Sequence, residues 1–144
     1  MKKRTHLYRR ENRVLFVTTI TDTEPSTRPF VVAGMPMYNE EETIGSVVIR
    51  ALRHVDKVVC IDDGSSDASA RIAEACGATV VRHRINRGYG GALKTLFMKA
   101  LEMDADALVL LDSDGQHEAH DIPNMLGPIL SGEAEDGEIG RAHV

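Results

Sequence analysis

The chain has 144 residues and a formal net charge of −5 with histidines neutral. That length holds one domain with a real core, and the acidic balance gives no basis for a nucleic-acid partner. Cys60 and Cys76 do not make a disulfide framework and read as small buried hydrophobes of a reducing cytoplasm. No apolar run approaches the roughly 20 residues that span a bilayer. Val14 to Val17 follows Lys2, Lys3, Arg4, Arg9 and Arg10, but it is too short for an export signal and no cleavage site follows it.

Residues 1–29 are basic, polar and Thr-rich and read as a flexible arm with one short strand at 14–20; such an arm is either a solvated tail or a contact for anionic lipid. From Phe30 the pattern becomes regular. Phe30 to Met35 reads as a strand, and Ile44, Val47, Val48, Ala51, Leu52 and Val55 then fall on one helical stripe. Asn39 is the expected cap of that helix, with Glu42 as its capping-box acid. A strand at Lys57 to Ile61 precedes a helix from about Ser66 to Cys76, which stops at Gly77. Thr79 to Val81 is a third strand, 89–103 a third helix, and Ala107 to Leu111 a strand apolar at every position. A last helix starts near Asp121, with Pro123 in its first turn.

Four strands alternating with four helices predict an α/β fold with a doubly wound, mainly parallel sheet. One nucleotide-binding type of α/β domain is expected over 30–131, and 132–144, rich in Gly and acids, reads as an unstructured tail. The abrupt loss of pattern there suggests truncation or foreign sequence.

In such a sheet ligands gather at the carboxyl ends of the strands, and each strand here ends in a polar loop. The first, Pro36-Met37-Tyr38-Asn39-Glu40, offers a rigid exit, a ring for stacking and an acceptor; Glu41 and Glu42 serve only the helix dipole. The second, Asp62-Asp63-Gly64-Ser65-Ser66-Asp67, carries a doublet of acceptors suited to a base N–H or ribose hydroxyls. The third, Asn86 to Thr95, imitates a phosphate-binding P-loop, but Leu93 stands where that motif needs glycine; its glycines, Gly88 among them, still let a diphosphate approach closely. The fourth, Asp112-Ser113-Asp114-Gly115-Gln116, sets two carboxylates two residues apart, so they face one another unless a cation bridges them or one is protonated. Their hard oxygens suit Mg²⁺ or Mn²⁺. His117 and His120 lack the thiolate or third histidine that zinc would need, and His54 and His83 read as ordinary surface or helix-end residues.

Taken in order, the motifs Pro36-Met-Tyr-Asn-Glu40, Val59-Cys-Ile-Asp-Asp-Gly-Ser-Ser-Asp67, Asn86-Arg-Gly-Tyr-Gly-Gly-Ala92 and Asp112-Ser-Asp-Gly-Gln116 resemble family-two nucleotide-sugar glycosyltransferases of the GT-A fold. Gln116, His117 and Ile122-Pro123 are most similar to the branch that uses polyprenyl- or dolichyl-phosphate acceptors. The resemblance implies that Pro36, Tyr38, Glu40, Asp62, Asp63 and Gly88 hold the nucleotide, and that Asp112, Asp114 and Gln116 hold the metal and sugar diphosphate, with Asp114 as the catalytic group.

It further implies transfer of a hexose, with inversion, from a UDP- or GDP-sugar to a lipid phosphate at the cytoplasmic face of a membrane. The metal would offset charge developing on the leaving diphosphate. A phosphate nucleophile is already ionised and needs no strong general base. Three rivals stand beside this reading. A donor-binding module without turnover is separated by whether the reading frame continues. A sugar-1-phosphate nucleotidyltransferase would need a Gly-, Arg- and Lys-bearing first loop, and a haloacid-dehalogenase-type phosphatase would place Asp-x-Asp-Gly after its first strand.

Overall fold

The computed structural model describes residues 4–10, 13–19, 29–113, 122–123 and 139–141, with side chains in 29–113 and 122–123. In chain order the elements are β1 (Arg4–Arg10), β2 (Arg13–Thr19), β3 (Val31–Met37), α1 (Ile44–Leu52), β4 (Lys57–Asp62), α2 (Ser69–Ala75), β5 (Thr79–Arg82), α3 (Gly88–Glu102), β6 (Ala107–Leu110) and β7 (Ile139–Arg141). They build one sheet in the order β5-β4-β3-β6-β2-β1-β7. Its centre, β5-β4-β3-β6, is wholly parallel, which is the doubly wound α/β arrangement expected from the alternating pattern.

The period of two along each strand sorts the core into two layers. Ala33, Met35 and Met37 of β3, with Val58 and Cys60 of β4, pack with Val47, Val48 and Ala51 of α1 and Ala70 and Ala73 of α2. Val32, Val59, Ile61, Leu108 and Leu110 point the other way, against Ala92, Leu96 and Ala100 of α3. Both faces of the central strands are therefore covered, which is why β6 is apolar at every position. At Gly34 the sheet and α3 touch most closely: a Cβ built there would lie 2.4 Å from Leu96 Cδ1. Glycine is required at that point by packing, since full burial of Leu96 contributes on the order of 2 kcal/mol.

Strand β3 pairs with β4 on one side and β6 on the other, so the chain departs from it in opposite directions. The notch between β3 and β6 at their carboxyl ends is the topological switch point, where open α/β sheets bind ligands. Pro36 fits its place for a related reason. It stays in register with Ile61 of β4, while the β6 pairing has already ended at Gly34–Leu110, so no ladder bond on that side is lost to the missing N–H.

Three expectations need correction. The stretch read as a flexible arm contributes two strands: β1 and β2 form an antiparallel hairpin, Arg10 opposite Arg13, and β2 lies antiparallel to β6 through Val17–Val109. The second of these matches the short strand expected at 14–20, whereas β1 was not expected, because antiparallel strands need not be apolar on both faces. The stretch read as a structureless tail places β7 parallel to β1. Asn39 does not cap α1. It sits at φ 50, and the helix begins only at Ile44, after Thr43, which makes no side-chain cap. The helix expected from Asp121 falls largely outside the described residues, although Ile122 is buried in the α1/α2 layer.

Candidate active site

A cleft of about 370 Å³ opens at the switch point, lined from β3 and its loop by Pro36, Met37, Tyr38 and Glu40. Asp63 comes from the end of β4, Asn86, Gly88, Tyr89 and Ala92 from the start of α3, and Leu111, Asp112 and Ser113 from the end of β6. Of the expected nucleotide and metal residues, the structure brings Pro36, Tyr38, Glu40, Asp63, Gly88 and Asp112 to this one cavity. Asp114 and Gln116 lie outside the described residues, as do His117 and His120.

Tyr38 is half exposed, leaving its ring face open to a planar ligand. Hydrogen bonds between loops fix the turn behind it. Asn39 N–H donates to Ser65 Oγ at 2.9 Å, and Asn39 Oδ1 accepts Ser66 N–H at 2.9 Å. Glu40 N–H donates to Ser69 Oγ at 2.8 Å. The amide that looked like a helix cap instead joins the β3 and β4 loops. Thr43 Oγ1 donates to the Ser113 carbonyl at 2.8 Å, which ties the start of α1 to the acidic loop after β6.

The two aspartates of the doublet do different work. Asp62 is fully buried and does not line the cleft. Its Oδ1 accepts Ser65 N–H at 3.0 Å and shapes the turn. Its Oδ2 lies 3.2 Å from Arg82 Nε, yet off the direction of that N–H, so it takes part in an ion pair but accepts no hydrogen bond. Burial first, and then the nearby Asp62 charge, push the Cys60 thiol up to about 12, so Cys60 is an inert core residue.

Asp63 is buried and held by three donors. Its Oδ1 accepts Arg87 N–H at 2.8 Å and His83 Nδ1 at 2.9 Å, and its Oδ2 accepts Gly88 N–H at 2.9 Å. Burial alone would raise its pKa, but the bonds from Arg87, His83 and Gly88 outweigh it and keep the carboxyl below the usual aspartate value. The Gly88 amide is already taken, by Asp63 and by Asn86 Oδ1 at 2.9 Å, so Gly88 is there for its φ of +80 and not to offer a free N–H.

The reading of His83 as a surface residue is also wrong. It is buried, bonded to Asp63 through Nδ1 and to Thr95 Oγ1 through Nε2 at 2.8 Å. Tyr89 was missed as a wall residue, although an aromatic side chain amid glycines was the signal for it. Burial first, and then the Asp112 charge, raise its hydroxyl pKa, so it stays a protonated donor at the cleft.

For a divalent cation, Asp112 supplies a hard oxygen in the cleft. Among the described residues no group of three His, Cys, Asp or Glu could hold a metal ion. Mg²⁺ is commonly held by one or two carboxylates together with substrate phosphates, and one cleft carboxylate fits that chemistry.

The description Glycosyl transferase family 2 matches residues 33–141. The UDP-N-acetylglucosamine–dolichyl-phosphate N-acetylglucosaminyltransferase of Methanococcus voltae is 33% identical over 119 residues, covering 70% of this chain and 47% of that protein. The undecaprenyl-phosphate 4-deoxy-4-formamido-L-arabinose transferase of Shewanella sediminis is 33% identical over 123 residues, covering 78% and 37%. This chain thus spans less than half the length of either relative. Among solved structures, glucosyl-3-phosphoglycerate synthase of Mycobacterium tuberculosis superposes with a TM-score of 0.61 at 30% identity, over 73% of this chain and 40% of that one. That enzyme was crystallised with Mn²⁺, UDP-glucose and phosphoglyceric acid. On the family match and the shared GT-A fold, this chain belongs to glycosyl transferase family 2.

Proposed function

We propose that this chain forms the donor-binding part of a metal-dependent transferase that moves a hexose from a UDP- or GDP-sugar to a polyprenyl phosphate, with inversion, at the cytoplasmic face of a membrane. The observation that carries the reading is the convergence of Tyr38, Glu40, Asp63 and Asp112, from three strand ends, on the cleft at the switch point.

Tyr38 stacks on the base, and Glu40 accepts from the ribose. Asp62 is fully buried behind the cleft lining, so its part is to shape the turn after β4 through Ser65 N–H. Asp63 acts through the wall it holds. Asp112, with Asp114 and Gln116 beyond the described residues, holds Mg²⁺ or Mn²⁺ on the diphosphate. The bound ion supplies electrostatic stabilisation of the leaving diphosphate. The lipid-phosphate acceptor draws its support from the dolichyl- and undecaprenyl-phosphate relatives. A phosphate oxygen attacks without a strong base.

Calorimetric titration of UDP and GDP, with and without Mn²⁺, tests the donor reading. Binding of one nucleotide that strengthens with Mn²⁺, and loses that Mn²⁺ dependence in Asp112→Asn and Asp114→Ala, is expected. Unchanged Mn²⁺-dependent binding in both variants would overturn the metal assignment. Transfer to a short polyprenyl phosphate then separates a complete transferase from a module that binds donor without turnover.

A further inference from the structure

His83 is a buried group that the proposed chemistry does not use. It leaves the end of β5 with its amide donating to the Asp62 carbonyl at 2.8 Å. Its ring then bridges two elements, with Nδ1 2.9 Å from Asp63 Oδ1 and Nε2 2.8 Å from Thr95 Oγ1 on α3. An ionised carboxylate can only accept, so Nδ1 carries the proton of the first bond. The Thr95 hydroxyl is also 3.1 Å from the Gly91 carbonyl, which fixes the far end of the ring against the first turns of α3.

The consequence reaches the cleft. Asp63 has two side-chain torsions, and only one orientation places its oxygens on Arg87 N–H and Gly88 N–H together. Gly88, in a left-handed conformation, leads directly into the wall formed by Asn86, Gly88 and Tyr89. A Cβ at Gly88 would meet nothing within 4 Å, so the space beside that residue is open and its amide is held by the bonds to Asp63 and Asn86.

We infer that His83 is a positioning residue for the donor site: it braces Asp63 against α3, and Asp63 in turn holds the Arg87–Gly88 turn that walls the nucleotide. The inference rests on the donor-site reading above. Without the brace Asp63 samples other orientations, the turn loosens, and nucleotide affinity falls while the core layers stay intact.

Three variants of the full chain separate this from a packing role. His83→Phe keeps a ring and removes both nitrogens, His83→Asn keeps a donor near the position of Nδ1, and His83→Gln reaches toward Thr95 instead. UDP is titrated in the presence of Mn²⁺, and amide exchange at Gly88 is followed by NMR. His83→Phe should bind UDP about tenfold or more weakly, the scale of one lost hydrogen bond to a charged group, and should speed Gly88 exchange. His83→Asn should recover most of both, and His83→Gln should not.

Wild-type UDP affinity in His83→Phe, or equal behaviour of the Asn and Gln variants, overturns the inference even if both melt earlier. Where His83→Phe does not fold, Thr95→Val provides the milder test, with weaker UDP binding expected and unchanged binding contrary. A wild-type chain that takes up neither UDP nor GDP with Mn²⁺ fails before any variant is compared, and that failure belongs to the donor reading.

Discussion

The Thr43 hydroxyl donates to the Ser113 carbonyl at 2.8 Å across 70 positions of sequence, joining the start of α1 to the loop that carries Asp112. Glu40 Oε2 is a weaker alternative acceptor for the same hydroxyl at 3.2 Å, so Thr43 touches both the nucleotide loop and the acidic loop.

Thr43→Val should therefore cost about 1 kcal/mol of stability, the net value of a typical hydrogen bond, and weaken Mn²⁺-dependent UDP binding several-fold. Thr43→Ser keeps the hydroxyl and should stay near wild type. Equal UDP affinity in the Val and Ser variants would show that this bond does not order the acidic loop.

The Asp63 carboxyl gives stability a defined dependence on pH. Its pKa is lower in the fold than in the unfolded chain, so the charged form is the one the fold favours. Its contribution is complete above about 3.9, the unfolded value, and disappears as pH falls through the lower folded value. Asp63→Asn should be less stable than wild type by a constant amount from pH 7 down to about 5, with the gap closing below about 4. Chemical denaturation across that range measures it, and a gap that widened on acidification would contradict the sign.

Gly34→Ala should destabilise by about 1–3 kcal/mol, because the new methyl meets the fully buried Leu96 and the core has no slack. Shortening the partner in Gly34→Ala/Leu96→Val should return part of that loss. Purely additive effects of the two substitutions would mean that the contact is not the cause.

Tyr38→Ala should weaken UDP binding by about tenfold, since stacking of a base on an aromatic ring contributes roughly 1–3 kcal/mol. Tyr38→Phe keeps the ring face and should bind UDP like wild type. Comparable losses in both variants would assign the effect to the hydroxyl and remove the stacking role.

Much of this architecture is legible along the chain because its causes are local. The apolar run at 107–111, the stripe from Ile44 to Ala51 and the polar loops after each strand record which faces are buried and where the chain turns. In an open parallel sheet those loops share one edge, so Tyr38, Glu40, Asp63 and Asp112 could be grouped before any coordinates.

What sequence alone determined was the α/β order and the chemical character of each loop. Which loops grip one another only the tertiary structure decided. Asn39 has the composition of a helix cap, yet it braces Ser65 and Ser66, and His83 looks like a surface residue until β5 lies beside β4 and α3 crosses above it. The β1–β2 hairpin joins a sheet whose other strands are far along the chain. Burial periodicity is written within a few residues, whereas a hydrogen bond between loops depends on strand order and register, which no short window of sequence contains.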